Sequence, residues 1–179
     1  LCNYPFDEIW VTITNVPDIE KVKKLFEGRA RVIVADEVFP EACKFFELTP
    51  ESFKDEHADG TTYSLAPLVD LYLAKDFDYI CHFCSDVELF KSGDWITPGI
   101  KEIESGKFAT VRPKYPRYKL QIHNNDEEKT RVFSDHAYLL PVKKFRSPAP
   151  FKYTEPKISD IHPYYGGESF ERKMSRYLY

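Results

Sequence analysis

Residues 78–90, DYICHFCSDVELF, place two cysteines, a histidine, an aspartate and a glutamate in one short run. Such groups can form a thiolate metal site, or a buried strand can carry a carboxylate to an active site. A structural zinc site needs four convergent ligands, and Cys2 and Cys43 are too isolated to supply a second pair. The two-residue period of a strand puts Cys81 and Cys84 on opposite faces. These cysteines are therefore predicted to pack as small apolar side chains.

The acidic end of this run is the stronger candidate for chemistry. The strand period places His82 and Cys84 on one face, and the strand then leads into Asp86 and Glu88. Carboxylate oxygens there could hold Mg²⁺ or Mn²⁺ on a diphosphate, where the metal neutralises the charge of the leaving group. A strand-end carboxylate can equally cap the turn that follows it.

The elements that would position these groups alternate along the chain. Apolar and β-branched runs predict strands, and capped amphipathic patterns predict helices. Strands are expected at residues 6–14, 31–35, 78–84, 108–111 and 131–140, and helices at residues 17–28, 64–75, 97–106 and 168–179. Ser64 is expected to cap the second helix, with Pro67 in its first turn. The alternation predicts one layered α/β/α domain, Rossmann-like, with a mainly parallel central sheet.

Ligands in such sheets bind beyond the carboxyl ends of the strands. Asp36 and Ser85 follow two of the predicted strands and are therefore candidate ligand-binding residues. Arg112 follows the short strand at residues 108–111, and its guanidinium group suits the geometry of a phosphate.

The amino-acid composition of the chain argues against some classes of function. The chain has 179 residues, of which 42% are hydrophobic and 30% charged, as expected of one globular domain. A formal net charge of -4 argues against a duplex-DNA binder, and no apolar run approaches the roughly 20 residues of a membrane span. Four scattered cysteines favour a reducing compartment. A cytoplasmic protein that binds no nucleic acid and has no transmembrane segment is expected.

Several segments together resemble a known family. FDYICHFCSDVELF, followed by DWITPGIKEIESGKFATVRPKYP, is similar to the centre of GT-A-fold, family-2-like glycosyltransferases that use nucleotide sugars. FDEIWVTITNVPDIEKVKKLF and RARVIVAD resemble the earlier strand–helix–strand unit, and YYGGESFERKMSRY resembles the acceptor-side segment. The resemblance implies a UDP- or GDP-sugar donor, a carbohydrate or glycoprotein acceptor, and Mn²⁺ or Mg²⁺ held by Asp86. It divides the single domain into a donor and metal half, residues 1–112, and an acceptor half, residues 113–179.

The sequence departs from the family pattern at two places. Cys84 stands where the family carries the first acid of its Asp-x-Asp motif, so that Asp86, supplemented by Glu88, is the expected metal ligand. The family's first strand and helix are not found before Phe6. Either that unit lies upstream of Leu1, or the strand at residues 6–14 serves as the first one.

A second acidic residue is needed if sugar transfer inverts the anomeric centre, because a base must take the proton of the acceptor hydroxyl. Glu168, directly after Gly166-Gly167, is the expected base, and Asp135 is the alternative. Two other functions stay open. One is a nucleotidyltransferase, and the other is a GT-A-like domain that binds a glycan or a partner without activity.

Overall fold

The chain is described from a computed structural model, which covers residues 3–53, 60–85, 87, 93–113, 133, 136–152 and 169–178. Strands and helices alternate through the first two thirds of the sequence, and short helices follow. In chain order the elements are β1 (Trp10–Ile13), α1 (Ile19–Phe26), β2 (Arg31–Val34), α2 (Ala35–Phe45), a 3-10 turn (Pro50–Phe53), α3 (Gly60–Leu73), β3 (Tyr79–Phe83), α4 (Ile96–Glu104), β4 (Ala137–Pro141), α5 (Val142–Phe145), α6 (Ala149–Lys152) and α7 (Phe170–Leu178).

The β1–α1–β2 unit forms as the sequence predicts. Strand β1 pairs with β2 in parallel, from Trp10↔Arg31 to Ile13↔Val34. Helix α1 begins after Asp18, whose carboxylate accepts a hydrogen bond from the backbone N–H of Lys21. Helix α1 has no buried residue, and Ile33 is the only buried residue of β2.

Strand β3 is where the sequence predicts it, but its partner is antiparallel. The β3–β4 register runs from Tyr79↔Pro141 to Phe83↔Ala137. The expected strand at residues 108–111 is reduced to a single bridge between Val111 and Leu139. Within the described residues, the sheet therefore consists of one parallel pair and one antiparallel pair. The fold class is α/β, and the mainly parallel order is not seen.

Helix α3 connects the two strand pairs, because it packs on both β1 and β3. It begins at Gly60, four residues earlier than expected, so Ser64 and Pro67 lie inside the helix rather than in its first turn. The Ser64 hydroxyl accepts a hydrogen bond from the backbone N–H of Phe170 at 2.9 Å. This bond fastens the start of α7 to α3.

The core lies around α3 and includes aromatic side chains from distant segments, among them Phe46, Phe53 and Phe170. Helix α7 docks on this core through Phe170 and Met174, as its apolar stripe predicts. Lys173 of α7 is buried as well, with its ammonium group 5.7 Å from the centre of the Phe53 ring. None of the helices in the described ranges is long and apolar enough to cross a membrane.

Candidate active site

Four of the residues predicted from sequence lie outside the part of the chain that the structure describes. They are Asp86, Glu88, Asp135 and Glu168. The structure describes a neighbour in the sequence for each of them. Ser85 and Val87 flank Asp86, and Val87 also precedes Glu88. His136 follows Asp135, and Ser169 follows Glu168.

Asp36 lies in the first turn of α2, because the helix follows β2 without a loop. Its carboxylate oxygen Oδ2 lies 3.4 Å from the backbone nitrogen of Asn15, which follows β1 and has a φ of 53°. The carboxyl ends of the two parallel strands therefore meet at this exposed contact, as the strand-end rule predicts.

A cavity of about 980 Å³ lies between β1 and β3. One wall is formed by Trp10, Val11 and Thr12 of β1, and the other by all of β3 together with Cys84 and Ser85. Helix α3 contributes Ala66, Pro67 and Asp70. Ser85, a candidate ligand-binding residue, is thus part of the cavity wall. Asp36 and Arg112 are not among the described residues that line it.

Acidic side chains dominate the charge of this cavity. Its lining includes Asp7, Glu8, Asp70, Asp76 and Asp78, and no lysine or arginine occurs among the described lining residues. Such a lining attracts cations and repels anions, because nearby like charges raise the free energy of a bound anion. A diphosphate would therefore need a divalent cation to bind here.

Asp70 carries the one carboxylate of this set that is deeply buried. The exposed fraction of its side chain is 10%. The Thr12 hydroxyl donates a hydrogen bond to Asp70 Oδ1 at 2.5 Å, and Nδ1 of His82 lies 3.3 Å from Asp70 Oδ2. A residue of β1 and a residue of β3 thus contact the same α3 carboxylate from the two sides of the cavity.

His82 is held in a fixed orientation. Its ring stacks on Tyr138, with ring centres 4.8 Å apart and planes 11° from parallel. The β3–β4 register makes these two residues direct cross-strand neighbours, which explains the stacking. The other ring nitrogen, Nε2, lies 3.7 Å from the sulfur of Cys84. This contact follows from the strand period, which places residues 82 and 84 on one face.

Sequence reasoning identified the shared face of His82 and Cys84, but it missed Asp70 and Tyr138. Asp70 is 12 residues from His82 and 58 from Thr12 along the chain, so no local pattern connects them. A lone aspartate within the apolar stripe of α3 is the one signal that pointed to a buried carboxylate.

The three described cysteines differ in environment. None of Cys43, Cys81 and Cys84 forms a disulfide bond. Cys43 is buried, and burial, aided by the Glu51 carboxylate, raises the pKa of its thiol from 9.0 to about 11. Cys81 and Cys84 are half-buried, and both line the cavity.

No protein-family model, no curated protein and no solved structure matches this chain. Its function must be inferred from its own residues and geometry.

The metal predicted from sequence depends on Asp86 and Glu88, which lie outside the described residues. Among the residues that the structure does describe, no three His, Cys, Asp or Glu side chains converge as a metal site requires. The donors nearest to this end of β3 are Cys84 and His82. Thiolate and imidazole groups suit zinc or copper better than Mn²⁺ or Mg²⁺, which prefer oxygen ligands.

Proposed function

We propose that this chain is a metal-dependent glycosyltransferase domain with a GT-A-like fold. It would move a sugar from a UDP- or GDP-sugar to a hydroxyl group of a glycan or glycoprotein. The proposal rests on the position of the residues that follow the carboxyl end of β3. The strand runs along the large cavity, and Cys84 and Ser85 line its wall immediately before Asp86 in the sequence. The expected metal ligand is therefore the next residue in the sequence after the described cavity wall.

The acidic lining supports metal dependence. With no lysine or arginine among the described lining residues, the cavity offers no side chain that would neutralise a diphosphate. A divalent ion bound by Asp86, supplemented by Glu88, would supply that charge and stabilise the leaving nucleotide. Asp36 and Arg112 are the further candidate donor-binding residues of this proposal, and neither lines the cavity.

The acceptor side is connected to the same region through two hydrogen bonds. The carbonyl oxygen of His136, the residue after Asp135, accepts a hydrogen bond from the backbone N–H of Cys84 at 2.7 Å. The N–H of Phe170, two residues after Glu168, binds Ser64 of α3. In the sequence, each candidate base is therefore within two residues of a backbone group that is hydrogen-bonded to Cys84 or to α3. A base near the cavity would take the proton of the acceptor hydroxyl.

Release of nucleoside diphosphate from a panel of UDP- and GDP-sugars, with Mn²⁺ and simple sugar acceptors, tests this function. Asp86→Asn is expected to lower the rate by about a hundredfold or more, because it removes a metal ligand. Replacing the true base, by Glu168→Gln or Asp135→Asn, is expected to lower transfer by about 10² to 10⁴ without loss of donor binding. Glu20→Gln on exposed α1 is the matched control and should leave the rate unchanged.

Other products would contradict the proposal in distinguishable ways. Release of pyrophosphate instead of a nucleoside diphosphate would indicate a nucleotidyltransferase. Binding of glycans without any donor turnover would indicate a binding domain that has no activity.

A further inference from the structure

The line of side chains from Asp70 through His82 to Cys84 is not used by the proposed glycosyl transfer. A nucleophile, a base within reach of it and a third group that orients the base form the arrangement found in enzymes with covalent catalysis. Here the sulfur of Cys84 is 3.7 Å from Nε2 of His82, and Nδ1 of His82 is 3.3 Å from the Asp70 carboxylate. We propose that Cys84 is a nucleophilic thiol, activated by His82 and Asp70, that takes an acyl group from a neutral ester or thioester.

The hydrogen bonds determine which ring nitrogen of His82 acts as the base. An ionised carboxylate only accepts hydrogen bonds, and Asp70 already accepts one from Thr12. Its contact with Nδ1 of His82 therefore requires the hydrogen of the neutral imidazole to be on Nδ1. The lone pair is then on Nε2, which faces the Cys84 sulfur and can accept its proton.

The orientation of the imidazole does not depend on a ligand. The ring is stacked on Tyr138, a buried residue of β4, and its Nδ1 atom contacts the Asp70 carboxylate. The exposed fraction of the His82 side chain is 11%, so water has limited access to the contact between His82 and Asp70. A base that is already oriented before substrate binds does not need to be ordered during the reaction.

The cavity indicates the class of substrate. Apolar side chains line much of it, including Trp10, Phe77 and Leu139, and its charged lining residues in the described chain are all acidic. An uncharged acyl group fits such a surface, whereas an anionic carrier such as a nucleotide thioester is repelled by it. A neutral carboxylic ester or thioester is therefore the expected acyl donor.

The reaction would proceed in two balanced stages. His82 Nε2 takes the proton of the Cys84 thiol, and the thiolate attacks the acyl carbonyl carbon. A C–S bond forms, the bond from that carbon to the leaving alcohol or thiol breaks, and the leaving group takes the proton from the imidazolium. Water then attacks the thioester, His82 passes the proton of the water to the Cys84 sulfur, and a carboxylic acid is released.

Alkylation by iodoacetamide, followed residue by residue with peptide mass spectrometry, tests the activated thiol. Cys81 is the internal control, because it lies three residues before Cys84 and is similarly half-buried, whereas the sulfur that lies 3.7 Å from His82 Nε2 is that of Cys84. At neutral pH, Cys84 should react about tenfold faster than Cys81 or more, and His82→Asn should abolish the difference. Loss of stability alone would raise both rates, whereas loss of activation lowers the rate of Cys84 only. Equal rates in the wild type would overturn the proposal.

Acylation by p-nitrophenyl acetate tests the chemistry itself. One equivalent of p-nitrophenol should be released in a burst, with the acetyl group found on Cys84, and Cys84→Ser should remove the burst. Acetyl-coenzyme A, which is anionic, should acylate Cys84 more slowly. Asp70→Asn should reduce the burst rate, and Thr12→Val, which keeps the carboxylate, should reduce it less. Acetylation elsewhere, or a burst that persists in His82→Asn, would contradict the proposal. Neither experiment uses a sugar nucleotide, so its result is independent of glycosyl transfer.

Discussion

At the scale of single residues, Asp70 links the two sides of the cavity. It accepts hydrogen bonds from Thr12 and His82, and it is the buried carboxylate between the two strand pairs. Burying a charge is unfavourable unless hydrogen bonds compensate for the lost water, so the Thr12 hydroxyl matters for stability as well as for geometry.

Thr12→Val should therefore destabilise the protein. The substitution keeps the side-chain shape but leaves Asp70 with one hydrogen bond fewer, at a cost of about 1–3 kcal/mol in the free energy of unfolding. Thr14→Val, just beyond β1, is the matched control and should change stability by less than about 0.5 kcal/mol. Chemical denaturation of the two variants measures the difference. Equal stabilities would show that the short bond between Thr12 and Asp70 contributes nothing.

The raised pKa of Cys43 predicts how the stability of the protein changes in alkaline solution. Its thiol has a pKa of about 11 in the folded protein and 9.0 when unperturbed. Between these values the folded state binds the proton more tightly than the unfolded state does. The contribution of Cys43 is therefore complete below about pH 9 and is lost progressively as the pH rises towards 11.

Thermal unfolding from pH 8 to pH 11 checks this prediction. In Cys43→Ala, the fall in melting temperature across this range should be shallower than in the wild type. Cys81→Ala, at a half-buried position, controls for the loss of a thiol. Parallel curves for the wild type and Cys43→Ala would contradict the assignment.

At the scale of the elements, the packing of α4 on β4 depends on a glycine. A Cβ atom at Gly99 would lie 3.0 Å from Cδ2 of Leu139 and 3.4 Å from Cγ1 of Val111. The helix thus approaches β4 closely because position 99 has no side chain. Since β4 pairs with β3, this contact also supports the strand that carries His82 and leads into Cys84.

Gly99→Val should lower stability, because the added atoms must push Leu139 and Val111 aside. Overpacking of this kind costs about 1–3 kcal/mol. Gly93→Val is the matched control, since a Cβ atom there would meet nothing within 4 Å. Equal melting temperatures for the two variants would show that α4 can shift without cost.

The elements also show what local sequence can and cannot predict. The cap of α1 at Asp18, the strand at β3 and the stripe of α7 were predictable, because each depends on neighbouring residues. The start of α3 was missed because Ser64 reads as a cap, whereas its hydroxyl binds the backbone of Phe170, 106 residues away. Lys173 reads as a solvent-facing cation, but its position beside Phe53 depends on how α7 docks.

At the scale of the whole molecule, the sheet is the largest difference from expectation. Alternating strands and helices predict the α/β class, and the parallel β1–β2 pair agrees with a layered fold. The direction of β4 depends on a pairing between segments more than 50 residues apart, which no strand pattern encodes. Within the candidate site, the two-residue period of a strand predicted that His82 and Cys84 share a face. The contacts of Asp70 and Tyr138 with His82 could be seen only in the tertiary structure.

Strands β1 and β3, helix α3 and Leu139 of β4 line the cavity on which the proposed function depends. Calorimetric titration of UDP- and GDP-sugars into the protein, with and without Mn²⁺, tests that function most directly. We expect at least one donor to bind only when Mn²⁺ is present, because the described lining has acidic groups and no basic ones. Asp86→Ala should abolish this binding, and Glu20→Gln should not. Absence of metal-dependent binding of any donor to the wild type would contradict the assignment as a glycosyltransferase.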